Sequence, residues 1–143
     1  MTTKKNIGIV KSKIFKSLNP LRLQSGKILK EYNLIYETYG KLNKERDNAV
    51  LVCHALSGNH HLAGKYSSKD KYPGWWDNLI GPNKPLDTNK FFVIGINNLG
   101  GSDGSSGPKS INKQTKKPWG ADFPIATVED WVNSHEALIT SLN

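Results

Sequence analysis

Residues 50–58 read Val-Leu-Val-Cys-His-Ala-Leu-Ser-Gly. An apolar run that opens into small residues can deliver backbone N–H groups to a reacting carbonyl. In sheets built for acyl transfer, one such N–H comes from the loop after an early strand. The other comes from the residue following the nucleophile. On that reading the loop is His54–Gly58, and Leu56 offers its backbone N–H rather than its side chain. An ordinary strand-to-loop turn accounts for the same spacing equally well.

Gly100-Gly101-Ser102-Asp103-Gly104 satisfies Gly-x-Ser-x-Gly, the pattern of a nucleophile held on a sharp strand-to-helix turn. A helix must follow such a turn at once, and Ser105-Ser106-Gly107-Pro108 cannot begin a stable one. The match is read as a decoy. Cys53 and His54 are adjacent, so on a strand they point to opposite faces and do not form a nucleophile–base pair. Cys53 is expected to be a buried, inert thiol. The spacing of His54, His60 and His61 fits neither a helical His pair nor a tetrahedral Cys/His set, so no metal is expected. His135 is expected to be a packed histidine, and Trp75, Trp76, Trp119 and Trp131 to be apolar anchors.

The elements that must position these residues are legible in outline. Residues 1–19 are basic and mixed, and read as a loosely held arm ahead of a domain over 20–143. Residues 21–29 read as a hairpin with Gly26 at its turn. A second strand is expected from Leu29 to Tyr39, with Leu34, Tyr36 and Thr38 on one face and Asn33, Ile35 and Glu37 on the other. Residues 49–53 and 91–96 are continuously apolar, as strands covered on both faces are. Residues 57–90 read as loop with a short helical turn at Trp75–Ile80, and 98–124 as a long surface excursion. Thr127 caps a helix whose inward face is expected to carry Val128, Trp131, Val132, His135, Leu138, Ile139 and Leu142. Buried strand, loop, buried strand and amphipathic helix argue for an α/β sheet.

Composition narrows the function classes. The chain has 143 residues, a formal net charge of +8, 36% hydrophobic and 22% charged residues. That suits one modest domain with an ordinary core. The excess of lysine would permit contact with nucleic acid, and a basic α/β binding module is the alternative from another class. No helical basic stripe, RNA-binding aromatic motif or zinc-finger spacing accompanies it, so neither nucleic acid nor membrane is expected as a partner. The single cysteine fits a reducing compartment. No apolar run approaches the roughly 18 residues needed to span a bilayer. A cytoplasmic location is the expectation.

Longer stretches carry a resemblance. Residues 49–61, then Gly74-Trp75-Trp76-Asp77, Gly81-Pro82 and Leu86-Asp87-Thr88 resemble the homoserine O-acyltransferases of methionine biosynthesis. So do Asn97-Asn98-Leu99-Gly100-Gly101, Gly104–Pro108 and Ser110-Ile111-Asn112. Ser102 stands where the family often has cysteine, and Ser106 where it often has threonine. The resemblance runs from about Leu21 to Asn143 and implies the N-terminal part of an α/β-hydrolase fold: a mixed, mostly parallel sheet with flanking helices, incomplete. It implies that a serine nucleophile, an aspartate and a histidine follow downstream of Asn143, and that this chain alone is inactive. It implies transfer of an acyl group from a CoA thioester to that serine and then to the hydroxyl of L-homoserine. Acyl-CoA is a co-substrate, and no cofactor is implied. Leu56 is the matched oxyanion donor, Ser57 and Gly58 are taken as substrate contacts, and the full-length enzyme is taken as a homodimer. His60-His61 with Ala63-Gly64, and Gly120–Pro124 leading to Val128–Val132, look more like the succinyl-CoA branch than the acetyl-CoA branch.

Overall fold

A computed structural model of the chain describes residues 6–142. In chain order the elements are β1 (Lys13–Ser17), β2 (Leu21–Arg22), β3 (Ile28–Leu29), β4 (Tyr32–Tyr39), β5 (Ala49–Val52), β6 (Ile80–Gly81), β7 (Leu86–Asp87), β8 (Phe92–Ile96), a 3₁₀ turn (Gly120–Asp122) and α1 (Val128–Ser141). The main sheet orders its strands β1-β4-β8-β5. It is mixed: β4 pairs antiparallel with β8, Tyr36 opposite Ile96 and Tyr39 opposite Val93, while β5 pairs parallel with β8, Val52 opposite Gly95. Two compact units divide the chain, one of residues 6–13 and 36–96, the other of 14–35 and 97–142.

The first unit has a continuous apolar core of Tyr39, Val52, Leu62, Ala63, Ile80 and Val93. β8 is buried from Val93 onward, as its apolar run requires. β5 differs from the expectation of a strand covered on both faces: Ala49 and Leu51 are exposed and only Val52 is fully buried. β5 has β8 as its neighbour on one side, and among the described residues the other side is an edge. The expected short turn after Trp75 is present, with the N–H groups of Leu79 and Ile80 both on the Trp76 carbonyl.

β4 departs from the alternation read in the sequence. Tyr32 and Leu34 are buried at one end, and Glu37 and Tyr39 at the other, so the burial phase changes mid-strand. A central strand is covered on both faces, and either set of side chains can then be interior. Glu37, read as outward, is 1% exposed.

In the second unit β2 and β3 form the expected hairpin, Leu21 opposite Leu29, with Gly26 at φ +82° in its turn. The strand expected from Leu29 to Tyr39 is broken at Lys30–Glu31 into β3 and β4. β1 lies within the stretch read as a loose arm: Lys13–Ser17 is strand, with Ser17 buried and Phe15 edge-on to Tyr32 at 6.3 Å between ring centres. The helix starts where read. Thr127 and Asp130 form a reciprocal capping box. Its inward face is Asp130, Ser134, His135 and Leu138, whereas Val128 and Val132 are 63% and 59% exposed. The face is rotated because the Asp130 carboxylate also takes the N–H of Gln24 at 2.9 Å, which draws that side of the first turn inward. His135 is buried, as expected. Among the described residues no helix is long and apolar enough to cross a membrane.

Candidate functional site

β5 ends at Val52, and the chain turns out into the loop that the sequence singles out. Cys53 is exposed, which corrects the buried thiol read there: the strand has already ended and its next side chain faces outward. His54 Nδ1 donates to the Ala55 carbonyl at 2.7 Å. The Gly58 N–H closes back onto the same carbonyl at 2.8 Å, so residues 55–58 form a tight turn. Leu56 stands at its tip, 91% exposed, with Ser57 exposed beside it and Gly58 half-buried. A Cβ at position 58 would lie 3.0 Å from His54 Cβ, and glycine lets the turn close that tightly.

Behind this tip the chain re-enters the interior. The His61 N–H is taken by Asn59 Oδ1 at 3.0 Å, and the Asn59 carbonyl accepts the Trp75 indole N–H at 3.1 Å. His60, Leu62 and Ala63 are buried. The N–H groups of Leu62 and Ala63 both donate to the Tyr39 hydroxyl, at 2.9 and 3.2 Å. That hydroxyl donates in turn to Glu37 Oε2. His61 Nδ1 is 3.1 Å from Glu37 Oε2, and its ring stacks on Tyr66 at 4.1 Å. The Ser12 hydroxyl donates to Glu37 Oε1 at 2.9 Å and lies 2.9 Å from His60 Nε2. Burial holds the Tyr39 phenol well above its ordinary range. The hydrogen bond to Glu37 and that carboxylate's charge push the same way, and the two backbone N–H groups pull back.

This network was not found by sequence reasoning. Glu37 occupies an outward position in the alternating pattern, and His60-His61 enter the sequence reading as metal candidates and as part of the family resemblance, not as partners of a strand residue. The available signal was a carboxylate among apolar and aromatic neighbours in a strand that must be central. Among the described residues no three His, Cys, Asp or Glu side chains gather to hold a metal ion.

Ser102 is exposed within a run of bends and turns, and no helix follows it directly. The hydroxyls after it are structural. Ser105 Oγ accepts the Ile35 N–H at 2.9 Å and donates to the Asn97 carbonyl at 2.7 Å, and Ser106 Oγ accepts the Asn33 N–H at 2.8 Å. The second unit also holds an open cleft of about 560 Å³, with Lys16, Lys30, Lys113, Tyr32 and Trp119 among its walls. Lys113 is paired there with Glu31.

No protein-family model matches the chain. A homoserine O-succinyltransferase of Neisseria gonorrhoeae is 59% identical over 138 residues, which is 96% of this chain and 36% of that enzyme. The crystal structure of a homoserine O-acetyltransferase from Bacillus anthracis superposes with a TM-score of 0.87 at 40% identity, covering 94% of this chain and 37% of that one. An esterase crystal structure gives 0.87 at 39% identity, covering 94% and 38%. The chain thus spans little more than a third of the length of the relatives it matches, and its mixed sheet and helix are part of an α/β-hydrolase fold. By sequence and by fold it is a homologue of part of the homoserine O-acyltransferases.

Proposed function

We propose that these residues supply the oxyanion side of a homoserine O-succinyltransferase. The observation that carries the reading is the 59% identity to such an enzyme across 96% of the chain. The turn at 55–58, which presents Leu56 outward at the end of β5, supports it. In the proposed reaction a serine hydroxyl attacks the thioester carbonyl of succinyl-CoA. The C–O bond forms, the carbonyl oxygen becomes an alkoxide, and the thiol of CoA departs with a proton. The homoserine hydroxyl then attacks the acyl-serine and releases O-succinylhomoserine. The Leu56 N–H is assigned to the oxygen that carries charge in both additions, with Ser57 and Gly58 beside the acyl group. The nucleophile, the acid and the base are assigned to the part of the enzyme outside these residues. The reading carries with it a cytoplasmic homodimer.

The test is a chimera in which this chain replaces the matching stretch of the gonococcal enzyme. Thiol release from succinyl-CoA should depend on homoserine and should exceed release from acetyl-CoA. Preference for acetyl-CoA would move the reading to the O-acetyltransferase branch. A folded chimera with no homoserine-dependent turnover would sink it.

A further inference from the structure

Withdrawing a carboxylate from water is costly unless donors meet it, and a well-packed apolar side chain at such a site is often neutral or better for stability. Glu37 is nonetheless 1% exposed on a central strand. Ser12, Tyr39 and His61 lie within hydrogen-bond reach of its oxygens, and His60 Nε2 is 3.7 Å from Oε1. An arrangement that is expensive in desolvation and fully furnished with partners fixes geometry more than it adds stability.

What it fixes is the segment 60–63. Two consecutive backbone N–H groups, those of Leu62 and Ala63, converge on one phenol oxygen whose own proton is committed to Glu37. The same segment crosses β8 so closely that a Cβ on Gly95 would lie 2.7 Å from the His60 carbonyl oxygen. It crosses residue 74 as closely, where a Cβ would lie 2.3 Å from the Ala63 nitrogen. The other stem of the loop is held by β5, Leu51 opposite Ile94 and Val52 opposite Gly95. Leu56, at the exposed tip, has little packing of its own to hold it, so its place follows from the two stems.

We propose that Glu37 and Tyr39 are positioning residues for the 53–63 loop, setting from behind the place at which the Leu56 N–H meets the substrate. The inference rests on the reading of that loop as an oxyanion loop. Restraint passes from Tyr39 to Leu62 and Ala63, and from Glu37 through His61 to Asn59, which Trp75 also holds. The turn at 55–58 follows directly. A misplacement of about 1 Å in such a donor can cost about 10²-fold in rate.

Two readouts test this. In the 143-residue chain, backbone amide exchange should show Leu62 and Ala63 protected. Tyr39→Phe, which removes their acceptor, should speed exchange at both by about tenfold or more while β8 amides change little. In the chimera, Tyr39→Phe and Glu37→Gln should each lower kcat by about 10- to 10²-fold with the KM for homoserine nearly unchanged, because the loop touches the developing charge and not the bound ground state. Unprotected Leu62 and Ala63 amides, exchange indifferent to Tyr39→Phe, or a loss confined to KM would overturn the inference. A chimera inactive with Glu37 and Tyr39 in place would overturn the acyltransferase reading instead, and the role of the loop with it.

Discussion

The hydroxyl of Tyr39 is the single acceptor for the N–H groups of Leu62 and Ala63, at 2.9 and 3.2 Å, and it donates its own hydrogen bond to Glu37. Ionising that phenol would place a second negative charge beside a buried carboxylate. The folded state therefore holds a proton that the unfolded chain gives up near the ordinary tyrosine value of 10.0. With the folded pKa raised, the contribution to stability is complete below that value and declines as pH rises through and beyond it. The urea midpoint should fall between about pH 9 and about pH 11, and Tyr39→Phe should flatten the fall. Tyr32, also raised by burial, leaves a residual slope. Identical slopes in wild type and Tyr39→Phe would contradict this account.

Glycine substitutions should rank by what a methyl group would strike. At position 74 a Cβ would lie 2.3 Å from both the Leu62 carbonyl carbon and the Ala63 nitrogen, and backbone cannot rotate aside. At position 95 it would lie 2.7 Å from the His60 carbonyl oxygen. Each replacement by alanine should cost about 1–3 kcal/mol or more by overpacking. Gly26→Ala meets nothing within 4 Å and bears only the strain of its φ of +82°, about 1–2 kcal/mol. Thermal or urea denaturation of the three variants gives the order. A larger loss for Gly26→Ala than for Gly74→Ala would refute the close crossing of 60–63.

Asp130 is wholly buried, yet its carboxylate serves both the start of α1 and the hairpin. It takes the N–H of Gln24 and of Thr127, each at 2.9 Å. Asp130→Ala strands both donors and should destabilise by about 2–3 kcal/mol, more than the loss of an isolated cap. Thr127→Ala, which removes the two contacts of the Thr127 hydroxyl with Asp130 but keeps the Gln24 link, should cost about 1 kcal/mol. Equal losses in urea melts would show that the Gln24 link carries nothing.

In the chimeric enzyme, Leu56→Ala keeps the backbone N–H and should change turnover little. Leu56→Pro removes it and should lower kcat by about 10²–10³-fold, the usual loss for one oxyanion donor. Circular dichroism must show the proline variant folded, since proline also fixes φ. Ser102→Ala should leave turnover near that of the parent. Abolished acyl-enzyme formation in Ser102→Ala, with an active and folded Leu56→Pro, would reverse both assignments.

Local chemistry made some of these features readable in the sequence, and long-range packing hid the others. The hairpin at 21–29 and the start of α1 were legible because Gly26 and the Thr127/Asp130 pair act on their immediate neighbours. The apolar runs that became β5 and β8 were legible for the same reason, although the exposure of Leu51 and Cys53 was not. How much of a strand is covered depends on its neighbours in the sheet. Glu37 was misread because alternation assumes one buried face, while β4 is central and its neighbours decide which side chains go inward. Of the candidate site, the His54–Gly58 turn stood out in the sequence. The groups that hold its far stem, contributed by residues 12, 37 and 39, are remote in the chain, and no spacing rule joins them to it.

β8 lies between β4 and β5, which do not pair with each other. On a ribosome that order has a cost. β4 and β5 both emerge well before the one strand that joins them, so the middle of the sheet stays open until the segment through Ile96 has left the exit tunnel. The intervening residues, including the loop at 53–63, must wait unclosed during that interval. Chaperone capture should therefore be most effective while β8 is still inside the tunnel, and synonymous changes that slow translation just before codon 92 should lower the yield of folded chain more than the same changes placed after α1.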